Sequence, residues 1–212
     1  MARVSQEHLD ARRRQILDGA TLCFSRNGFH ATSMQDVLRE VDLSAGAVYR
    51  YFSGKEELIA AIATEALAAI RGAFERAAEE NPPPLPDVLL AQVLGDVLAG
   101  RVPGSGRPAA EGAPGFPRVA LQVWAETLRT PELATALRHG FGEVHAAWSK
   151  VVVAYQEAGL MRNDVPADRV ARTLMAVAQG FIAQQALFGD VEVEQLQDGL
   201  RGLMSMTEPK IK

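Results

Sequence analysis

At 212 residues, 48% hydrophobic and 23% charged, with a net charge of −4, the chain has the size and composition of a globular protein of one or two domains with room for a substantial core. A single cysteine, Cys23, excludes an intramolecular disulfide, and its neighbours Leu22 and Phe24 suit a small buried side chain. No signal peptide is visible and no apolar run approaches the roughly 18 residues of a membrane-spanning helix, which predicts a cytoplasmic, non-membrane protein.

Residues 1–7 read as a polar arm. A helix is expected from about His8 to Asn27, with Ile16, Ala20, Cys23 and Phe24 as its buried stripe and Gly28 as a left-handed cap. Arg3, Arg12, Arg13 and Arg14 could reach phosphate, although a basic run on a helix is ordinarily just solvated. Thr32 stands three residues before Gln35 and Ser33 three before Asp36. Either hydroxyl can therefore cap a second helix whose apolar residues Met34, Val37, Leu38 and Val41 share one face. Val41-Asp42-Leu43 breaks that pattern. Ser44 then caps a short third helix, Ala45 to Tyr51, with Val48 and Phe52 pointing inward and Ala45, Gly46, Ala47, Tyr49 and Arg50 left facing out. Two short capped helices around a turn of about three residues, the second opening with small side chains, form the pattern of a helix-turn-helix, whose second helix enters the major groove.

A long helix follows from about Lys55 to Glu80, opened by Ser53-Gly54-Lys55-Glu56 at capping-box spacing and stopped by Asn81-Pro82-Pro83-Pro84. Leu58, Ile62, Leu67, Ile70 and Phe74 make it the candidate mechanical link between the first module and the rest. Another helix is expected from Asp87 to Ala99. Residues 101–117 hold 8 Gly or Pro in 17 positions, a composition that favours a mobile loop. Helix resumes from about Arg118 to Arg129, and Thr130-Pro131-Glu132 reads as cap and first-turn proline of the next, which runs to about Glu157 and ends at Gly159. Gly140 and Gly142 within it point to close helix packing or to bending beside a cavity. Asp164-Val165-Pro166 starts a helix to about Phe188, and Val193 to Met206 makes the last. No stretch sustains the alternation of a strand. The expected fold is all-α with about nine helices: residues 1–54 as a three-helix DNA-binding domain and 55–212 as a second helical domain with the Gly/Pro-rich loop inside it.

The run Leu43 to Leu58, L-S-A-G-A-V-Y-R-Y-F-S-G-K-E-E-L, resembles the signature of the tetracycline-repressor (TetR) family of bacterial regulators. Ile16 to Met34 also resembles that family's first helix and the start of its second. Leu121 to Leu133, L-Q-V-W-A-E-T-L-R-T-P-E-L, is more loosely similar to the ligand domain of one broad branch. The resemblance implies a repressor that binds a palindromic double-stranded DNA operator as a homodimer and is released by a small apolar or amphipathic effector, without a cofactor. Carried over residue by residue, it gives Thr32, Ser33, Tyr49 and Lys55 to phosphate, with Ser44 as cap, and Ala45, Gly46, Ala47 and Arg50 to the base edges. That reading face is poor in hydrogen-bonding groups, so Gln35 or the N-terminal arm is expected to add specificity. The middle helices would enclose a pocket, for which Phe74, Leu121, Trp124, Phe141, His145 and Trp148 are candidates. The last two helices would pair with a second copy through Val170, Leu174, Val177, Phe181, Leu196, Leu200 and Leu203.

Charge distribution agrees in sign: residues 1–55 carry 8 Lys/Arg against 6 Asp/Glu, while the remainder carries 14 against 20. An all-α carrier or enzyme is the rival class. The four histidines, His8, His30, His139 and His145, include no i, i+4 metal pair, Glu-x-x-His is absent, and no Ser or Cys nucleophile has a recognisable base. Glu126 and Glu143 could meet as a carboxylate pair but read as exposed glutamates, so no enzyme is expected. A DNA-binding regulator or activator without a small ligand remains the other alternative.

Overall fold

The computed structural model describes residues 6–99, 101, 115–189 and 191–205. Gln6 and Glu7 of the expected polar arm already belong to the first helix, and Phe116 and Pro117 of the Gly/Pro-rich loop expected at 101–117 to the sixth, while residues 1–5, with Arg3, and 102–114 lie outside the described residues. Among these residues the chain forms nine α-helices and no strand: α1 (Gln6–Asn27), α2 (Met34–Val41), α3 (Ala45–Tyr49), α4 (Lys55–Glu79), α5 (Pro86–Leu98), α6 (Phe116–Glu126), α7 (Pro131–Glu157), α8 (Ala167–Leu187) and α9 (Val193–Met204). None is long and apolar enough to cross a membrane.

The N-terminal helix-turn-helix domain is built as its caps dictate. Gly28 closes α1 at φ 87, a left-handed conformation that glycine adopts without a Cβ penalty. Ser33, not Thr32, caps α2 in a reciprocal box with Asp36, and Asp42 turns the chain at φ 51 before Ser44 caps α3. α3 ends at Tyr49, two residues earlier than its spacing suggests, and Tyr51 and Phe52 close it with turns onto the Val48 carbonyl. α1 and α2 cross at Gly19, where an added Cβ would stand 2.3 Å from Val41 Cγ1. Ile16, Phe24, Val37, Val48, Phe52, Leu58 and Ile62 bury together, and each side chain of this size contributes about 1.5–3 kcal/mol by leaving water. This core does not stop at residue 54: Val119 and Val123 of α6 and Leu133 and Leu137 of α7 join it.

The start of α4 departs from the expected box. Gly54 is the cap and offers no side chain, while the Ser53 backbone N–H and hydroxyl both donate to Glu57 Oε2, at 2.7 and 2.8 Å, rather than to Glu56. The carboxylate reaches one residue further because Gly54 is extended and lengthens the approach.

In the C-terminal helical domain Phe74 of α4 packs on Trp148 of α7 with ring centroids 4.3 Å apart. Gly140 answers the question its sequence raised. It sits where α7 meets α4, and an added Cβ there would lie 2.7 Å from Leu67 Cδ1, whereas Gly142 faces open space. The buried Tyr155 hydroxyl donates to the Pro84 carbonyl, and burial pushes its pKa upward. Asp87 at the start of α5 is 1% exposed and accepts from Arg201 Nε and Nη2 of α9 at 3.0 and 2.8 Å, which supplies the partner a buried carboxylate requires.

Candidate DNA interface and ligand cavity

The outward face of the helix-turn-helix is open. Gln35, Ser44, Ala45, Gly46, Tyr49 and Arg50 are exposed and Ala47 is half-buried; a Cβ on Gly46 would meet nothing within 4 Å. Ser44 Oγ is engaged as the cap of α3, accepting the Ala47 N–H at 3.3 Å. Tyr49 is 48% exposed, and its hydroxyl has no partner among the described residues. Arg50 lies over the Tyr51 ring, its guanidinium carbon 5.2 Å from the centroid. Small side chains let a backbone approach closely, while a free phenol and a guanidinium donate to phosphate or guanine.

Three residues expected at phosphate have their protons committed elsewhere. Thr32 is 1% exposed and its hydroxyl lies 2.8 Å from the Gly28 carbonyl and 3.2 Å from that of Cys23, so it ties the start of α2 to the end of α1. Ser33 Oγ donates to Asp36 Oδ2 at 2.7 Å; that hydroxyl, with the Ser33 N–H, holds the Asp36 carboxyl below its ordinary pKa. Lys55 Nζ points inward, 3.1 Å from the Phe29 carbonyl, 3.3 Å from that of Thr32 and 3.5 Å from that of His30, and 4.7 Å from the Phe29 ring centroid. An ammonium has three protons, and three carbonyls surround this one. Arg13 is likewise engaged, paired with Glu65 and stacked over Phe52.

Between α4, α5, α6, α7 and α8 lies an apolar cavity of about 110 Å³. Phe74, Trp124, Phe141 and Trp148 line it as expected. Leu121 and His145 do not: Leu121 falls on another side of α6, and the His145 ring turns to the Asp168 carbonyl, with Nε2 at 2.8 Å. Sequence reasoning missed Gln179 of α8, which also lines the cavity; a lone amide in the run Ala176-Val177-Ala178-Gln179-Gly180-Phe181 was the available signal.

The residues expected at a dimer interface divide. Leu174, Phe181 and Leu200 are buried in the chain's own core and Val170, Val177 and Leu196 pack partly against it, so only Leu203, 67% exposed, is free on the surface. The apolar stripe of each helix is turned inward because one chain alone has a core to fill. What α8 and α9 leave outside is Leu187, Phe188, Leu203 and Met204, with Gly180, Gly199 and Gly202 facing open space.

α6 lines the cavity and holds the loop that precedes the helix-turn-helix. Its Val119, Val123 and Trp124 line the cavity, while Gln122 Oε1 accepts the Phe29 N–H at 2.6 Å, and Glu126 Oε2 stands 3.1 Å from His30 Nε2. Arg129 Nη1, just past the helix, is 3.3 Å from that same nitrogen, which has one proton or one lone pair to offer. Of these, Glu126 reads in sequence as an exposed glutamate, yet its side chain is only 12% exposed. Cys23 is buried as expected, and burial raises its pKa to about 11, leaving no reactive thiolate.

Comparison with known proteins agrees with this geometry. A family model described as "Bacterial regulatory proteins, tetR family" matches residues 16–62, and one described as "BetI-type transcriptional repressor, C-terminal" matches residues 108–204. The HTH-type transcriptional repressor Rv1474c of Mycobacterium tuberculosis is 32% identical over 186 residues, covering 88% of each chain. The chain belongs to the TetR family of bacterial transcriptional regulators. Another relative, the HTH-type transcriptional repressor AcnR of Corynebacterium diphtheriae, is 28% identical over 99% of this chain and 96% of its own. The structure of Salmonella enterica GusR superposes with a TM-score of 0.70 at 25% identity, over 97% of this chain and all of GusR. The Bacillus subtilis FadR structure, solved in complex with stearoyl-CoA, shares the fold with a TM-score of 0.67 at 16% identity, over 90% of this chain and 97% of its own. As a TetR-family regulator, the chain carries a DNA-binding helix-turn-helix in α2 and α3.

Proposed function

We propose that this TetR-family chain is a cytoplasmic repressor that binds a two-fold symmetric DNA operator as a homodimer and is released by a small molecule bound in the α4–α8 cavity. Residues 1–54 act as the reading head and 55–212 as the regulatory part. The observation that carries this reading is the continuity of α6, which lines the cavity on one side and holds the Phe29–His30 loop, just before the helix-turn-helix, on another. A ligand that displaces Val123 or Trp124 must move Gln122 and Glu126 with them. α4 offers a second route, since Ile62 belongs to the N-terminal core and lines the cavity as well. A few kcal/mol of differential affinity between two such arrangements suffices to empty an operator.

Tyr49 and Arg50 supply the polar DNA contacts and Ala45, Gly46 and Ala47 the close approach, with Gln35 adding a reader from α2. The surface left on α8 and α9 supports the dimer: Gly180, Gly199 and Gly202 each weaken a helix by roughly 0.5–1 kcal/mol relative to alanine, and no described residue comes within 4 Å of a Cβ added at any of them. A second copy placed there would cover Leu187, Phe188 and Leu203. FadR of Bacillus subtilis, solved in complex with stearoyl-CoA, is a precedent in the same fold for a bound small molecule. Sedimentation at micromolar concentration tests the assembly: a dimer is expected and a monomer would contradict it. Titrating cavity-sized compounds into the protein–DNA complex tests release, and a complex that survives every compound bound by the free protein contradicts induction.

A further inference from the structure

The cavity has an uneven chemistry. Apart from the two tryptophan indoles, Gln179 is the only polar side chain among its described lining residues; the rest are Ala, Val, Leu, Ile, Phe and Met. No charged side chain stands among the described lining residues. Arg71, next in sequence to the lining Ile70, is tied to Glu143 at 2.9 Å and does not contribute to the wall. The Gln179 amide, half-buried on α8, has no hydrogen-bond partner among the described residues. An amide offers both a donor and an acceptor, and a ligand group placed against it can pair with either.

From this, and resting on the ligand-responsive reading above, we propose that the cavity takes a small neutral molecule bearing one hydrogen-bonding group, and that Gln179 is the residue that reads that group. Size follows from volume: an apolar cavity of about 150 Å³ accommodates a benzene ring, so about 110 Å³ limits the ligand to at most a single small ring or a short branched chain. Charge follows from the wall. A carboxylate or ammonium entering this space would lose its hydration with no counter-ion among the described lining residues to replace it, which one amide does not offset. A hydroxyl or carbonyl loses less, and the amide returns it. Specificity then lies in the contrast between the group that pairs Gln179 and the apolar analogue that leaves it bare.

Toluene, phenol and benzoate, matched in ring size and different in polarity, test this on the full chain by calorimetric titration of the wild type and of Gln179→Met, which keeps length and removes both hydrogen-bonding atoms. Gln179→Leu serves as a second variant. The expected result is binding of phenol and toluene but not benzoate to the wild type, with phenol weakened about tenfold by either substitution and toluene changed by less than about threefold. Phenol affinity indifferent to both substitutions, or benzoate binding as well as phenol, would overturn the role of Gln179 while leaving a ligand cavity in place. If none of the three binds the wild type, the proposal falls together with the reading of this cavity as the effector site.

Discussion

Phe29 donates its backbone N–H to Gln122 Oε1 at 2.6 Å, joining residues 93 positions apart in the chain. The bond links the loop that precedes the helix-turn-helix to the helix that lines the cavity. Gln122→Ala leaves that part-buried N–H without its acceptor, a loss of about 1–3 kcal/mol, or several degrees in Tm for a chain of this length. Amide exchange at Phe29 should accelerate more than at neighbouring residues. Unchanged protection at Phe29 would show that the contact does not persist in solution.

Lys55 separates a structural role from a phosphate role. With its ammonium surrounded by the Phe29, His30 and Thr32 carbonyls, Lys55→Met should lower Tm and weaken binding to duplex DNA through the loosened start of α2. The slope of log affinity against log salt should stay within about half a unit of wild type, whereas losing one phosphate contact would reduce it by about 0.9. The salt titration distinguishes the two.

Asp36 and Glu57 make the helix starts sensitive to acid. Both carboxyls are held below their ordinary pKa, Asp36 chiefly by the Ser33 hydroxyl and Glu57 chiefly by the Ser53 N–H. A depressed folded-state pKa contributes stability above the unfolded value, near 4, that is lost as pH falls through the folded value. Asp36→Asn and Glu57→Gln should therefore lower Tm at pH 7 and converge on wild type as pH falls below the depressed folded-state pKa of each carboxyl. A constant offset across that range in thermal melts would contradict the assignment.

Two glycines predict opposite signs. Gly142 faces open space within α7, so Gly142→Ala should raise stability by about 0.5–1 kcal/mol. Gly19→Ala drives a methyl into Val41 and should cost about 1–3 kcal/mol by forcing α1 from α2. Denaturant melts of the two variants check both, and equal effects would refute the close crossing.

Local signals carried most of the fold. Caps, prolines and apolar spacing place all nine helices near their observed bounds, because each is written in a few adjacent residues. The site was legible only in part. Exposure of Tyr49 and Arg50 follows from which side of α3 Val48 must bury, and four of the six cavity candidates follow from being large and apolar on middle helices. The directions of Thr32, Lys55 and His145 were not legible, since each depends on carbonyls contributed by other segments. The same holds for Leu174, Phe181 and Leu200: an apolar stripe does not say whether its own chain or a second one will cover it.

The central claim, that Tyr49, Arg50 and the small residues of α3 read a specific DNA sequence, is tested most directly by selecting bound fragments from sheared genomic DNA with the wild-type protein and with Arg50→Ala. Wild-type fragments should share a two-fold symmetric sequence that Arg50→Ala loses or relaxes. Fragments with no common sequence, or an identical sequence recovered by both proteins, would contradict it.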